Sequence, residues 1–168
     1  ALEALKDKHL QISTDGSLII LNESEDQGRD ALSGNPVDLS SLTLYKPRIN
    51  NSVRRVLSMA IGKLKLTSDS PEVRLQAARK LLKSTSTDLV ELVEKALDRE
   101  DNDEVRKVFM LVLAKEGLKS DDKNRRLKSL NIINEFGSND FKTDLEALLE
   151  KDDTGNFLEG DSEIRDHA

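Results

Sequence analysis

A chain of 168 residues with a net charge of −6 is long enough to bury a core and too acidic to coat a nucleic-acid backbone, which demands a basic surface. Charged residues make up 35% and hydrophobic ones 36%, while aromatics fall to 3% and Trp is absent, so the core is expected to be Leu, Val, Ile and Ala. The absence of Cys excludes disulfide scaffolds, Cys-ligated zinc and thiol chemistry, and leaves the compartment open.

Ala1 to His9 reads as a short helix with Leu2 and Leu5 inward. Two β-prone runs follow, Leu10 to Ser13 and Leu18 to Leu21, separated by Thr14-Asp15-Gly16-Ser17. Asp-Gly between such runs predicts a hairpin. Residues 22–44 are polar from Asn22 to Gly28 and turn at Gly34-Asn35-Pro36, so they read as a loop lying over the first helices, with Leu39, Leu42 and Leu44 as anchors.

Beyond Pro47 the period becomes helical. Val53, Val56, Leu57, Ala60, Ile61 and Leu64 follow the i, i+3, i+4, i+7 pattern of an amphipathic helix, which breaks at Thr67 to Ser70. Val73, Ala77, Leu81 and Leu82 mark a second helix. Thr87 is expected to cap a third, carrying Leu89, Leu92, Val93, Ala96 and Leu97. The fourth, Asp103 to Glu116, is apolar on nearly every side between Val108 and Ala114 and is expected to be the central one, ended by Gly117. That seven-residue apolar run is the longest in the chain, against about 20 for a membrane span. Leu127, Leu130, Ile133 and Phe136 define a fifth helix closed by Gly137, and Phe141, Leu145, Leu148 and Leu149 a sixth. The chain opens without Met and stops within the first turns of a further helix, so a processed form or a fragment of a longer protein is expected.

One helix opening recurs. Ser70-Pro71-Glu72-Val73-Arg74 returns as Asn102-Asp103-Glu104-Val105-Arg106, and in degenerate form as Asp161-Ser162-Glu163-Ile164-Arg165. The first residue can accept from an orphan first-turn N–H, Pro or an acid suits the positive helix end, the apolar residue begins a buried face, and Arg can lie over its neighbour. Recurrence at this spacing predicts an all-α, HEAT-like helical repeat (an α-solenoid) with a small N-terminal β-hairpin. Residues 1–47 would pack as helix, hairpin and loop on the repeats formed by residues 48–168.

Catalytic motifs are missing. His9 and His167 stand near opposite ends, and neither a G-x-S-x-G elbow nor a glycine-rich phosphate loop occurs. Asp152, Thr154, Asn156 and Glu163 match four positions of a calcium loop, but Phe157 stands where the sharp turn needs Gly, so an acidic inter-repeat loop is expected. No catalytic, cofactor or metal residue is assigned. From Lys46 to Lys65 the chain holds Lys46, Arg48, Arg54, Arg55, Lys63 and Lys65 and no acid. This stretch reads either as a docking face for an acidic partner or lipid headgroups, or as a solvated face whose arginines pair with acids on the next helix. With Tyr45 the one aromatic nearby, base stacking is not expected.

Three unlike elements in order carry a resemblance: the hairpin from His9 to Ile20, the run Arg48-Ile49-Asn50-Asn51-Ser52-Val53-Arg54-Arg55 opening a helix, and the linker and Pro-x-Val-Arg helix from Leu64 to Ala78. In these, residues 9–107 resemble the N-terminal soluble region of UrtB, the permease subunit of bacterial urea ABC transporters of the branched-chain amino acid type. The 22–44 loop has no counterpart in that pattern. The resemblance implies a non-enzymatic domain at the periplasmic face of the inner membrane. It would dock the periplasmic substrate-binding protein or brace the other transporter subunits, with Arg48, Asn50, Asn51, Arg54 and Arg55 as candidate partner-docking residues. It carries over no urea-contacting residue and no cofactor. The alternative is a free-standing cytoplasmic HEAT-like scaffold that binds protein on a concave helical face.

Overall fold

In the computed structural model, which describes residues 1–83, 89–136 and 139–168, the Asp15-Gly16 hairpin forms as expected. β1 (Leu10–Ser13) and β2 (Leu18–Leu21) pair antiparallel with Leu10 opposite Ile20 and Ile12 opposite Leu18. Gly16 takes φ +87°, where a side chain would be strained, and the Asp15 carboxylate accepts from the Ser17 amide at 3.0 Å and from the Ser13 hydroxyl.

The 22–44 stretch is not a loop. It contributes β3 (Gly28–Asp30), β4 (Pro36–Val37) and β5 (Leu44–Tyr45) to one antiparallel sheet, in the order β4-β3-β2-β1-β5. The chain is therefore mostly helical with a small sheet, rather than all-α with a lone hairpin. Side chains close the turns between these short strands. Asn22 Oδ1 accepts from the Asp26 and Gln27 amides, both at 3.1 Å, and Asp30 Oδ1 accepts from Leu32 and Ser33 at 3.1 and 2.7 Å. Leu10, Ile19 and Leu21 are buried on this sheet. The expected anchors Leu39, Leu42 and Leu44 are all half-buried, and Leu39 Cδ2 lies 2.6 Å from where a Cβ on Gly28 would sit, so a larger residue there would have to displace it. α1 (Leu2–Lys6) precedes the sheet with Leu5 half-buried, whereas Leu2, expected inward, is exposed.

The chain divides into two compact units, Ala1–Gly62 and Lys63–Ala168, with the division falling inside α2 (Asn51–Leu66). The second unit holds α3 (Pro71–Leu82), α4 (Val90–Leu97), α5 (Asp103–Gly117), α6 (Lys123–Phe136), α7 (Lys142–Leu148) and α8 (Ser162–His167). The caps expected at Thr87 and Gly137 lie outside the described residues. α5 is central as its pattern predicts, packing against α3, α4 and α6, while α6 also meets α8. The core of this unit is built of Leu, Val, Ile and Ala as expected, with two additions: Phe109 and Phe141 are both fully buried, beside Val93, Val105, Leu130 and Ile164.

Gly117 is the last residue of α5 and does more than stop it. A Cβ there would lie 2.1 Å from Ser129 Oγ on α6, whose hydroxyl donates to the Arg125 carbonyl at 2.9 Å. Gly117→Ala should push that hydroxyl out of its bond and lower stability by about 1 kcal/mol. In a Ser129→Ala background the nearest atom is Cβ at 3.4 Å, so the same change should become neutral or stabilising. A double-mutant cycle of thermal melts checks this, and equal effects in both backgrounds would refute the close approach.

The recurrent helix openings share a physical device. Ser70, Asn102 and Asp161 cap α3, α5 and α8 with bonds to Val73, Val105 and Ile164 at 3.3, 3.1 and 3.3 Å. Nη1 of Arg74, Arg106 and Arg165 then donates to the carbonyl six residues earlier, on Ser68, Glu100 and Glu159, at 2.7, 2.9 and 2.6 Å. A fourth case opens α6, where Arg126 reaches the Ser120 carbonyl at 2.9 Å. In all four the side chain two residues before the cap accepts the cap's own amide: Ser68 at 3.3 Å, Glu100 at 3.0 Å, Ser120 at 3.2 Å and Glu159 at 2.9 Å. Each linker is thus tied down by its own helix.

Two of the four are also joined across helices. Arg74 holds Glu100 through two bonds of 2.7 Å, from Nε and Nη2, and the Glu100 side chain is only 2% exposed. Arg126 meets Glu159 through Nη2 alone at 3.4 Å, and its buried Nε has no partner.

Candidate functional site

α2 starts at an asparagine cap. Asn50 Oδ1 accepts from the Val53 amide at 2.9 Å and the Asn50 carbonyl accepts from Arg54, so this Asn shapes the helix end. The first turn carries no acid, although carboxylates are favoured there, and the whole helix contains none. Arg54 is half-buried, and its Nη1 donates to the Lys6 carbonyl at 3.3 Å, at the C-terminal end of α1. Asn50 and Arg54 therefore have structural work within the first unit.

Arg48, Asn51 and Arg55 are exposed. Arg48 and Arg55 make no ion pair and no side-chain hydrogen bond among the described residues. The expectation that the arginines pair with acids on the next helix does not hold for these two. Lys46 pairs with Glu25 in the β2–β3 turn at 2.7 Å and holds that carboxyl below its ordinary value.

The apolar stripe of α2 has an unexpected position. Leu57 is buried, but Val53 is 41% exposed, Val56 56% and Met59 37%. Helical spacing puts Val53, Val56 and Ala60 in one row and Arg55 and Met59 in the row beside it. A face that normally meets a core is thus left open, beside the exposed Arg55. Contiguous exposed apolar side chains with a polar border mark interaction surfaces more often than catalytic ones. The sequence shows the stripe; it contains no sign that the stripe is uncovered, and Met59 gave no signal.

Other candidate chemistry is used up locally. Asp152 Oδ1 accepts from the Thr154 amide and hydroxyl and the Asn156 amide, at 2.9, 2.6 and 3.0 Å, closing a tight turn with Gly155 at φ +86°. These bonds, the Thr154 hydroxyl first, lower the Asp152 pKa and make the loop a side-chain-closed turn. No group of three or more His, Cys, Asp or Glu among the described residues is placed to hold a metal ion. An open groove of about 550 Å³ runs beside β2 to β4, but its acids are committed, Asp26 to Asn22 and Asp38 to Ser40. Among the described residues no helix is long and apolar enough to cross a membrane. In comparisons with known proteins, no family model, curated protein or solved structure matches the chain.

Proposed function

We propose that this chain is a non-enzymatic, extracytoplasmic domain of a urea or amide ABC transporter permease, which docks the periplasmic substrate-binding protein. Docking is carried by one observation, the open row of Val53 and Val56 beside Met59 on α2. The transporter and its periplasmic setting rest on the resemblance of residues 9–107. The four arginine-tied linkers support a HEAT-like stack of helix pairs, since a device repeated at each helix start is what stacked units need to keep a fixed geometry.

Urea offers four heavy atoms, so even at a ceiling of about 1.5 kcal/mol per atom tight binding needs an enclosed, hydrogen-bonding pocket. Titration of the whole chain with the transporter's substrate-binding protein should show binding, and titration with urea none. Val56→Asp, at an exposed position, should abolish the protein interaction and leave the circular dichroism spectrum and melting temperature unchanged. Micromolar urea binding, or hydrolysis of an amide, would overturn the reading; a flat titration with the substrate-binding protein would refute docking.

A further inference from the structure

Granting the docking role just proposed, we infer that α2 receives a protein face that is apolar at its centre and lined by carboxylates at its rim. The chain as a whole is acidic, at −6, yet the stretch from Lys46 to Lys65 has no acid, so its positive charge is locally concentrated. Within it the structure separates spent cations from available ones. Arg54 is committed to the Lys6 carbonyl and Lys46 to Glu25, while Arg48 and Arg55 are solvent-facing and unpaired among the described residues. Arg55 stands on α2 in the row beside the exposed Val53 and Val56, next to Met59, and Arg48 lies three residues before the helix starts, so a partner that covers the apolar row brings its own rim towards guanidinium groups. Arg prefers carboxylate partners because its planar fork matches two oxygens at once.

An anionic membrane is the weaker fit. Four exposed apolar side chains on α2, Val53, Val56, Met59 and Leu64, give little area to bury among acyl chains, and the chain's net negative charge is repelled by anionic lipid. A protein face needs only local complementarity.

The two rows then act on different steps. The free arginines steer encounter, so they set the association rate and its salt dependence, whereas the apolar row sets the dissociation rate. The experiment is stopped-flow or surface-plasmon kinetics of the whole chain against the transporter's substrate-binding protein, over a range of salt. It compares the wild type with Arg48→Glu/Arg55→Glu and with Val56→Asp. A parallel arm uses vesicles of phosphatidylglycerol and phosphatidylcholine. The charge-reversed variant should associate about tenfold more slowly at low salt, with the gap closing at high salt and the dissociation rate nearly unchanged. Val56→Asp should accelerate dissociation instead. If charge reversal leaves both the association rate and its salt dependence untouched while Val56→Asp destroys binding, the acidic-rim inference fails and the docking role stands. If neither variant alters binding, docking through α2 itself fails. Vesicle binding that Arg48→Glu/Arg55→Glu abolishes, without binding to the protein, would overturn both.

Discussion

Glu100→Ala should cost the second unit about 3 kcal/mol, enough to lower its melting temperature by more than about 10 °C. The side chain is almost wholly buried, it accepts two bonds from Arg74, and it also accepts the Asn102 amide that opens α5. Removing it leaves a guanidinium with its main partner gone and an orphaned amide at once. Arg74 beside it holds the Glu100 carboxyl below its ordinary value. A carboxyl whose folded pKa is depressed stabilises only while ionised. That contribution is complete above the ordinary value of about 4.5 and is lost as pH falls through the lower folded value. Melting temperatures of the wild type and Glu100→Gln should therefore converge on acidification and separate towards neutrality. Glu159→Ala is the internal control: its pair with Arg126 is single-pronged at 3.4 Å, so the loss should be less than about half as large. Equal losses at Glu100 and Glu159 would show that the two clamps are energetically alike despite their geometry.

Phe109→Ala should be the most damaging single truncation in the chain, at about 3–5 kcal/mol, a large share of a typical domain stability of about 5–15 kcal/mol. Phe109 is fully buried on α5, the helix that packs against α3, α4 and α6, so the cavity opens where several elements meet and none can close over it alone. Leu148→Ala on α7, at a half-buried position, should cost far less. Chemical denaturation of the two variants checks this ordering, and similar midpoints would place the centre of the core elsewhere.

α2, α3, α5 and α6 were legible because each runs long enough for the 3.6-residue period to repeat, and α5 stood out because its apolar residues leave almost no polar side. The hairpin was legible because Asp15-Gly16 has one economical conformation between β-prone runs. β3, β4 and β5 were not, since strands of two or three residues show no alternation and their polar turns look like an unstructured loop. The Arg126 linker escaped notice because Asp122-Lys123-Asn124-Arg125 lacks the acid and apolar residue of its counterparts. Its arginine is aimed at a backbone carbonyl, which every residue type supplies, so the target leaves no mark on the sequence. At the candidate site the basic stretch and the apolar stripe were both visible. Which arginines are spent was not, because the partners of Arg54 and Lys46 lie far away along the chain, at Lys6 and Glu25.

The margins of the sheet bear on how this protein meets others. β4 and β5 form its two edges, each only two residues long, and Pro36 in β4 has no N–H to offer. Edges this short offer an incoming strand little backbone to pair with, which works against main-chain zippering. On the docking role proposed above, recognition would fall to side chains on α2, which read a partner's surface chemistry without a shared backbone ladder and so leave the contact reversible.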